Sequence, residues 1–227
     1  MDALILDIDG TLWDSTAIVA QSWNQVLDTH TEVAFRATPE KLKKLFGRTL
    51  YEIAAIIFPE LTTSEQQKLI DKCCESEHEY LSRCPGIIFE GVVETIKKLA
   101  KQYKVCIVSN CEAGYIELVM KALGIDEDIT DYECPGYTGR GKGYNIKLVM
   151  ERNGFASAIY VGDTQGDLEA CRQASLPFVY CKYGFGQPLE WDFAIDRFEE
   201  LLELCPKIEM PKKKLTTLTF SERRRPD

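Results

Sequence analysis

Short, nearly continuous apolar runs recur along the chain at wide intervals: Ala3 to Ile8, Val105 to Val108, Ala158 to Val161 and Pro177 to Cys181. Runs this short, with no alternating polar face, suit strands covered on both sides. Between the later runs lie segments of helical period, Val92 to Lys101, Gly114 to Leu123, Tyr144 to Arg152 and Asp167 to Ala174. This alternation predicts an α/β fold: a three-layer, Rossmann-like parallel sheet core with helices on both faces. Ligands in such sheets bind beyond the carboxyl ends of the strands. Asp7, Ser109 and Asp163 all fall at those ends.

One segment breaks the rhythm. Between Asp14 and Pro85 the pattern is helical throughout, with candidates at Thr16 to Asp28, Pro39 to Phe46, Leu50 to Phe58 and Ser64 to Leu81. Pro39 after Thr38 marks a helix start, and Ser64 with Gln67 reads as a capping box. A stretch of about 70 residues is too long for a loop. It predicts a helical-bundle cap domain at 14–85, inserted between core segments 1–13 and 86–205. Its two connections, near Trp13 to Ser15 and Cys84 to Gly86, would run side by side as a hinge. A hinged lid suits a reaction that must exclude water.

The net charge of −9 argues against a general nucleic-acid binder, which needs a basic surface. The imbalance is uneven: the segment 206–227 holds seven Lys or Arg against three acids, and reads as a solvated basic tail. No apolar stretch approaches the roughly 20 residues that cross a bilayer. The apolar start has no basic residue ahead of it and runs into Asp7, unlike a signal peptide. A cytoplasmic protein without a membrane partner is expected. The nine cysteines include no Cys-x-x-Cys and read as reduced, mostly buried thiols. The two histidines, His30 and His78, fall in helical patterns and read as surface or packing residues.

Candidate chemistry is concentrated in four places. Asp7-Ile8-Asp9-Gly10-Thr11-Leu12 sets two carboxylates at the exit of the first strand, ahead of a glycine turn. Two acids so close call for a cation or a shared proton. Ser109-Asn110 follows a strand and offers a hydroxyl and a backbone amide to an anionic oxygen, although Ser109 also reads as a helix cap. Lys142 lies in Thr138-Gly139-Arg140-Gly141-Lys142-Gly143, just before a helix. Gly162-Asp163-Thr164-Gln165-Gly166-Asp167 ends another strand with two more acids, Asp167 doubling as a first-turn helix acid.

In that order, over roughly residues 3 to 205, these segments resemble the four motifs of the haloacid dehalogenase (HAD) superfamily. The helical insert sits where the C1 cap of its phosphoglycolate-phosphatase-like branch sits. The resemblance implies that Asp7 is a nucleophile forming an aspartyl-phosphate, and that Asp9 is the general acid and base. It implies a Mg²⁺ ion held by Asp7, Asp9 (through its carbonyl), Asp163 and Asp167, directly or through water. Ser109, Asn110 and Lys142 would bind the phosphoryl oxygens, with Thr11, which also reads as a turn-stabilising hydroxyl, on the substrate side.

Within the family, retention of Asp9 favours phosphate-ester chemistry over dehalogenation. The segment Asp14 to Ser22 lacks the histidine usual in the phosphomutase branch, which tilts the reading towards a hydrolase. Asp14-Ser15 and the loop Gly47-Arg48-Thr49-Leu50 are similar to phosphoglycolate-phosphatase-like members, with Arg48 the candidate for a substrate anion. The expected substrate is a small phosphate ester, phosphoglycolate or a sugar phosphate. A beta-phosphoglucomutase-type mutase and a catalytically silent binding member are the alternatives.

Overall fold

The computed structural model of the protein describes residues 1–209. The first strand, β1 (Ala3–Leu6), is buried at every position. It is followed by β2 (Trp13–Asp14), α1 (Thr16–Leu27), α2 (Pro39–Lys43), α3 (Leu50–Ile57), α4 (Thr63–Arg83) and β3 (Ile87–Ile88). Strands and helices then alternate through α5 (Val92–Leu99), β4 (Lys104–Val108), α6 (Tyr115–Leu123), β5 (Asp131–Glu133) and a single turn, α7 (Pro135–Thr138). They continue with α8 (Lys142–Arg152), β6 (Ala158–Gly162), α9 (Gln165–Ala174), β7 (Phe178–Cys181), β8 (Phe193–Ile195) and α10 (Leu201–Leu204).

Six strands form one parallel sheet in the order β5-β4-β1-β6-β7-β8. Leu4 lies opposite both Val105 and Ile159, so β1 is hydrogen-bonded on both edges. The strand period of two splits the core into layers. Leu4, Leu6, Val105, Ile107 and Val161 pack with α5 and α6, whereas Ile5, Cys106, Val108 and Tyr160 pack with α8 and α9. This is the expected three-layer α/β core. The strand order reverses beside β1, and the crevice above such a switch point is where ligands bind.

The segment between β2 and β3 is helical, as its period predicts. α1 and α3 both pack against α4, and their buried side chains, among them Trp23, Ile53 and Ile70, join the core that includes Leu4 and Leu6. Thr38 caps α2 with Pro39 behind it. The capping box of α4 is Thr62 with Glu65, two residues before the expected Ser64 and Gln67. Thr49 and Glu52 form another on α3. Trp13 pairs with Ile88 and Asp14 with Ile87, so the two connections of the helical segment run side by side.

β5 and β8 were not expected from the pattern. Both are short edge strands, and β5 carries Asp131 and Glu133, which pair with Arg152 at 2.6 and 2.7 Å. The charges on β5 resist further strand addition and remove the apolar signature by which a strand is read, whereas β8 is apolar but only three residues long. All nine cysteines are free thiols. No helix among the described residues is long and apolar enough to cross a membrane. The basic tail lies, from residue 210 onward, outside the described residues.

Candidate active site

Asp7 continues the ladder of β1. Its N–H donates to the Val161 carbonyl at 2.9 Å, which fixes the backbone and turns the carboxylate out beyond the strand ends. The side chain is 97% buried, and Lys142 Nζ donates to Oδ1 at 2.9 Å. The nearby Ser109 hydroxyl favours the ionised form of the same carboxylate. Lys142, the first residue of α8, is equally buried and also reaches Asp167 Oδ1 at 2.6 Å. Burial disfavours its ammonium, but the Asp167 and Asp7 charges outweigh that and hold its pKa above the ordinary value.

Asp163, at the end of β6, is fully buried. Its Oδ2 accepts the N–H groups of Phe185 and Gly186, at 2.6 and 3.2 Å. Its Oδ1 is buried with no hydrogen-bond partner. Two glycines make room for it. Gly10 has φ +85°, and a Cβ there would stand 2.3 Å from Asp163 Oδ2; a Cβ on Gly184 would stand 2.3 Å from Asp163 Cβ. Asp167 serves differently. Its Oδ2 accepts from the N–H groups of Asp163 and Thr164 and from the Thr164 hydroxyl, while Oδ1 takes Lys142, so both oxygens are filled by protein donors.

One oxygen from each of Asp7, Asp163 and Asp167 lies within 4.8 Å of the others. Burial and mutual repulsion raise the carboxyl pKa of Asp7, against Lys142, and that of Asp163. Burial acts on Asp167 in the same sense, but Lys142 and the Thr164 donors override it and hold that pKa down. Three buried carboxylates thus share one ammonium. The charge deficit, the all-oxygen donor set and the orphaned Asp163 Oδ1 fit a hard divalent cation such as Mg²⁺.

Asp9 shares no partner with Asp7. Its Oδ1 accepts from Trp13 Nε1 at 3.1 Å, Ser15 Oγ at 2.6 Å and Tyr115 Oη at 2.9 Å, all neutral donors. Burial is the main cause that pushes its carboxyl pKa up to about 7, with Asp7's charge adding to it.

Asp7, Asp9, Ser109 and Asn110 line one side of a cavity of about 40 Å³, and residues of the helical segment close the other. Arg48 lines it as well, exposed and without an ion pair among the described residues. Asn110 Nδ2 donates to the Gly47 carbonyl at 2.9 Å, tying that loop to the sheet, while Asn110 Oδ1 is buried and unpaired. Lys142 and Arg48 also line an outer cleft of about 670 Å³. Thr11 does not line the cavity: it is fully buried, and its carbonyl accepts from Tyr183 Oη. Ser109 is no helix cap either, because α6 begins at Tyr115 after Gly114.

Residues 4–181 match the family described as haloacid dehalogenase-like hydrolase. The chain belongs to that family. Phosphoglycolate phosphatases of Xanthomonas campestris (24% identical, covering 88% of this chain and 95% of theirs) and Xylella fastidiosa (26%, 83% and 85%) are similar along most of its length. Among solved structures, a predicted phosphoglycolate phosphatase from Haemophilus somnus superposes with a TM-score of 0.79 at 21% identity, covering 90% of this chain and 98% of that one. CbbY from Rhodobacter sphaeroides, crystallised with xylulose-1,5-bisphosphate, superposes with a TM-score of 0.73 at 15% identity, covering 88% and 96%.

This haloacid dehalogenase-like hydrolase adds residues to its site that the motifs do not contain. Tyr115 and Ser15 hold Asp9, and the Phe185 and Gly186 amides hold Asp163. His78, expected as a packing or surface residue, lines the cavity with its ring stacked 6.0 Å from that of Tyr115. Glu77 lies on the buried stripe of α4 with Leu69, Ile70, Cys73, Cys74 and Leu81. An acid on an apolar stripe was the one sequence signal for it.

Glu77 has a measurable signature in stability. Burial, with Asp9's charge, pushes its carboxyl pKa from 4.5 up to about 8. The folded protein therefore keeps a proton that the unfolded chain releases from about pH 4.5 upward. Stability from this group is present at low pH and lost as pH rises through about 8. Glu77→Gln, which cannot titrate, is expected to gain on wild type by a few kcal/mol between about pH 5 and pH 9. Urea unfolding at both pH values checks this, and a difference that does not change with pH refutes it.

Proposed function

We propose that the protein is a Mg²⁺-dependent phosphomonoesterase acting on a small phosphorylated metabolite through an aspartyl-phosphate on Asp7. In this reading residues 14–85 are a cap over a catalytic core of 1–13 and 86–205, hinged at the paired β2 and β3. The observation that carries it is the contrast between the two acids that open the site. Asp7 touches an ammonium, which opposes the burial and the Asp167 charge that raise its pKa. Asp9 touches neutral donors alone, so it holds a proton near neutral pH. Carboxylates held by such different partners, an ammonium for Asp7 and neutral donors for Asp9, suit a nucleophile and an acid–base partner.

Asp7 would attack phosphorus while Asp9 gives its proton to the departing alcohol oxygen. Asp9, now ionised, would take a proton from water as that water attacks the aspartyl-phosphate, which releases inorganic phosphate and restores both residues. Lys142 fixes the Asp7 carboxylate by its short contact, and the Ser109 hydroxyl and Asn110 amide would hold phosphoryl oxygens. Mg²⁺, held by Asp7, Asp163 and the Asp9 carbonyl, with Asp167 bracing the cluster, would supply charge stabilisation at the phosphoryl group. The small cavity favours a compact substrate, and the names of the curated relatives support a phosphate monoester.

The test is a panel of phosphate esters with Mg²⁺ or with a chelator, reading inorganic phosphate. Turnover is expected with the metal alone. Asp9→Asn is expected to lower kcat/KM, which reports transfer to Asp7 and not the later water step, by about 10²–10⁴-fold for alkyl phosphates, and far less for acetyl phosphate because its leaving group needs no proton. Equal losses in kcat/KM on both would refute the general-acid role. Undiminished turnover in chelator would refute the metal, and transfer between sugar phosphates without phosphate release would establish a mutase instead.

A further inference from the structure

α4 carries one carboxyl group to the cavity wall. Glu77 is 8% exposed, and its Oε2 accepts from Trp23 Nε1 at 2.8 Å, a bond between α1 and α4 that fixes the rotamer. No donor among the described residues reaches Oε1, and no Lys or Arg pairs with Glu77. The same cavity is lined by Asp9, Glu112 and His78, and Arg48 is the one Lys or Arg among its lining residues. Asp7, Asp9 and Ser109 mark the place of the phosphoryl group, so the remaining wall, where Glu77 sits, faces whatever alcohol the phosphate is attached to.

We propose that Glu77 reads the leaving group, selecting a hydroxyl-bearing alcohol, as in a polyol or sugar phosphate, over a carboxylate-bearing one such as phosphoglycolate. The inference rests on the phosphatase reading and narrows its substrate class. A hydroxyl both donates and accepts, so it satisfies Oε1 whether or not Glu77 holds a proton. A carboxylate only accepts. Beside Oε1 it is satisfied only by a protonated Glu77, and there it adds a negative charge next to Glu77 and Glu112, while the one cation of the cavity lining, Arg48, is exposed. Sites built to pair a substrate hydroxyl discriminate strongly against analogues that cannot make the bond, because their own polar group is left unpaired. The Trp23 bond adds to this by preventing Glu77 from swinging away.

The experiment compares kcat/KM for glycerol 3-phosphate, ribose 5-phosphate and phosphoglycolate in wild type, Glu77→Gln and Trp23→Phe, with Mg²⁺ present. Wild type is expected to prefer a hydroxylated ester by about tenfold or more. Glu77→Gln keeps an acceptor for Trp23 and turns an N–H₂ donor to the cavity, so the preference should shrink by about tenfold as phosphoglycolate gains. Trp23→Phe, which frees Glu77, should erode the preference in the same direction, and it carries the test if Glu77→Gln does not fold. A wild-type preference for phosphoglycolate, or a ratio that both variants leave within about twofold, overturns the proposal. Acetyl phosphate separates the two levels. If wild type hydrolyses it and the ester preference is reversed, only the role of Glu77 falls; if no ester is hydrolysed, the phosphatase reading falls and takes this inference with it.

Discussion

Asp7→Asn is expected to lower kcat by roughly 10⁴-fold or more, the scale seen when a covalent nucleophile is removed. The amide is nearly the same size and can still accept from Lys142, but its oxygen carries no charge with which to attack phosphorus. The loss should fall on kcat, because the groups proposed to hold the phosphoryl oxygens remain in place. It should also come without unfolding. Asp7 is one of three buried carboxylates around a single ammonium, and burial and Asp167 already act against its ionisation. Removing its charge relieves that repulsion, so the metal-free variant should melt no lower than the metal-free wild type. Phosphate release and a thermal melt in chelator check the two halves. Activity within tenfold of wild type would remove Asp7 from the reaction, whatever the melt shows.

The residues that could be read from the chain share a physical property. Asp7, Ser109 and Asp163 each end a buried strand, and the parallel sheet sets all strand ends on one rim, so local apolar runs were enough to bring them together. The helical segment was legible for a similar reason, since its period of 3.6 persists across α1, α3 and α4. Tyr115, Glu77 and His78 were not placed. They reach the site from helix faces far along the chain, and only tertiary packing decides which face of α4 or α6 meets Asp9. The loop after β7 was hidden in another way. It holds Asp163 through the backbone N–H groups of Phe185 and Gly186, which carry no side-chain signature. Thr11 shows the opposite failure. Its place in the motif suggested the substrate, yet the turn at Gly10 buries its side chain away from the cavity.

Lys142→Met should be the most destabilising single change in the site. It removes the ammonium lying 2.9 Å from Asp7 and 2.6 Å from Asp167, and leaves buried carboxylates facing one another with no cation. Breaking a buried pair by removing one partner costs about 3–5 kcal/mol, because the remaining charge stays desolvated. The sign of the pH dependence follows from the same contacts. In wild type, Asp167 has a lowered pKa, so its favourable contribution is present above the unfolded pKa and is lost as pH falls through the folded one. In the variant, Asp7 and Asp167 lack their counter-charge: the folded pKa of Asp167 rises above its unfolded value, and that of Asp7, already raised, rises further. Groups shifted in that direction cost nothing at low pH and destabilise increasingly as pH rises. Both effects narrow the gap between variant and wild type towards acid, so it should be largest near neutral pH and small near about pH 4. Mg²⁺ should recover part of the loss at neutral pH, since an ion that binds only the folded carboxylates stabilises that state. Urea unfolding of both proteins at several pH values, with Mg²⁺ or chelator, measures each term. A stability gap that is flat with pH would show that Lys142 contributes through packing alone, and that the carboxylates it touches are not held there as anions.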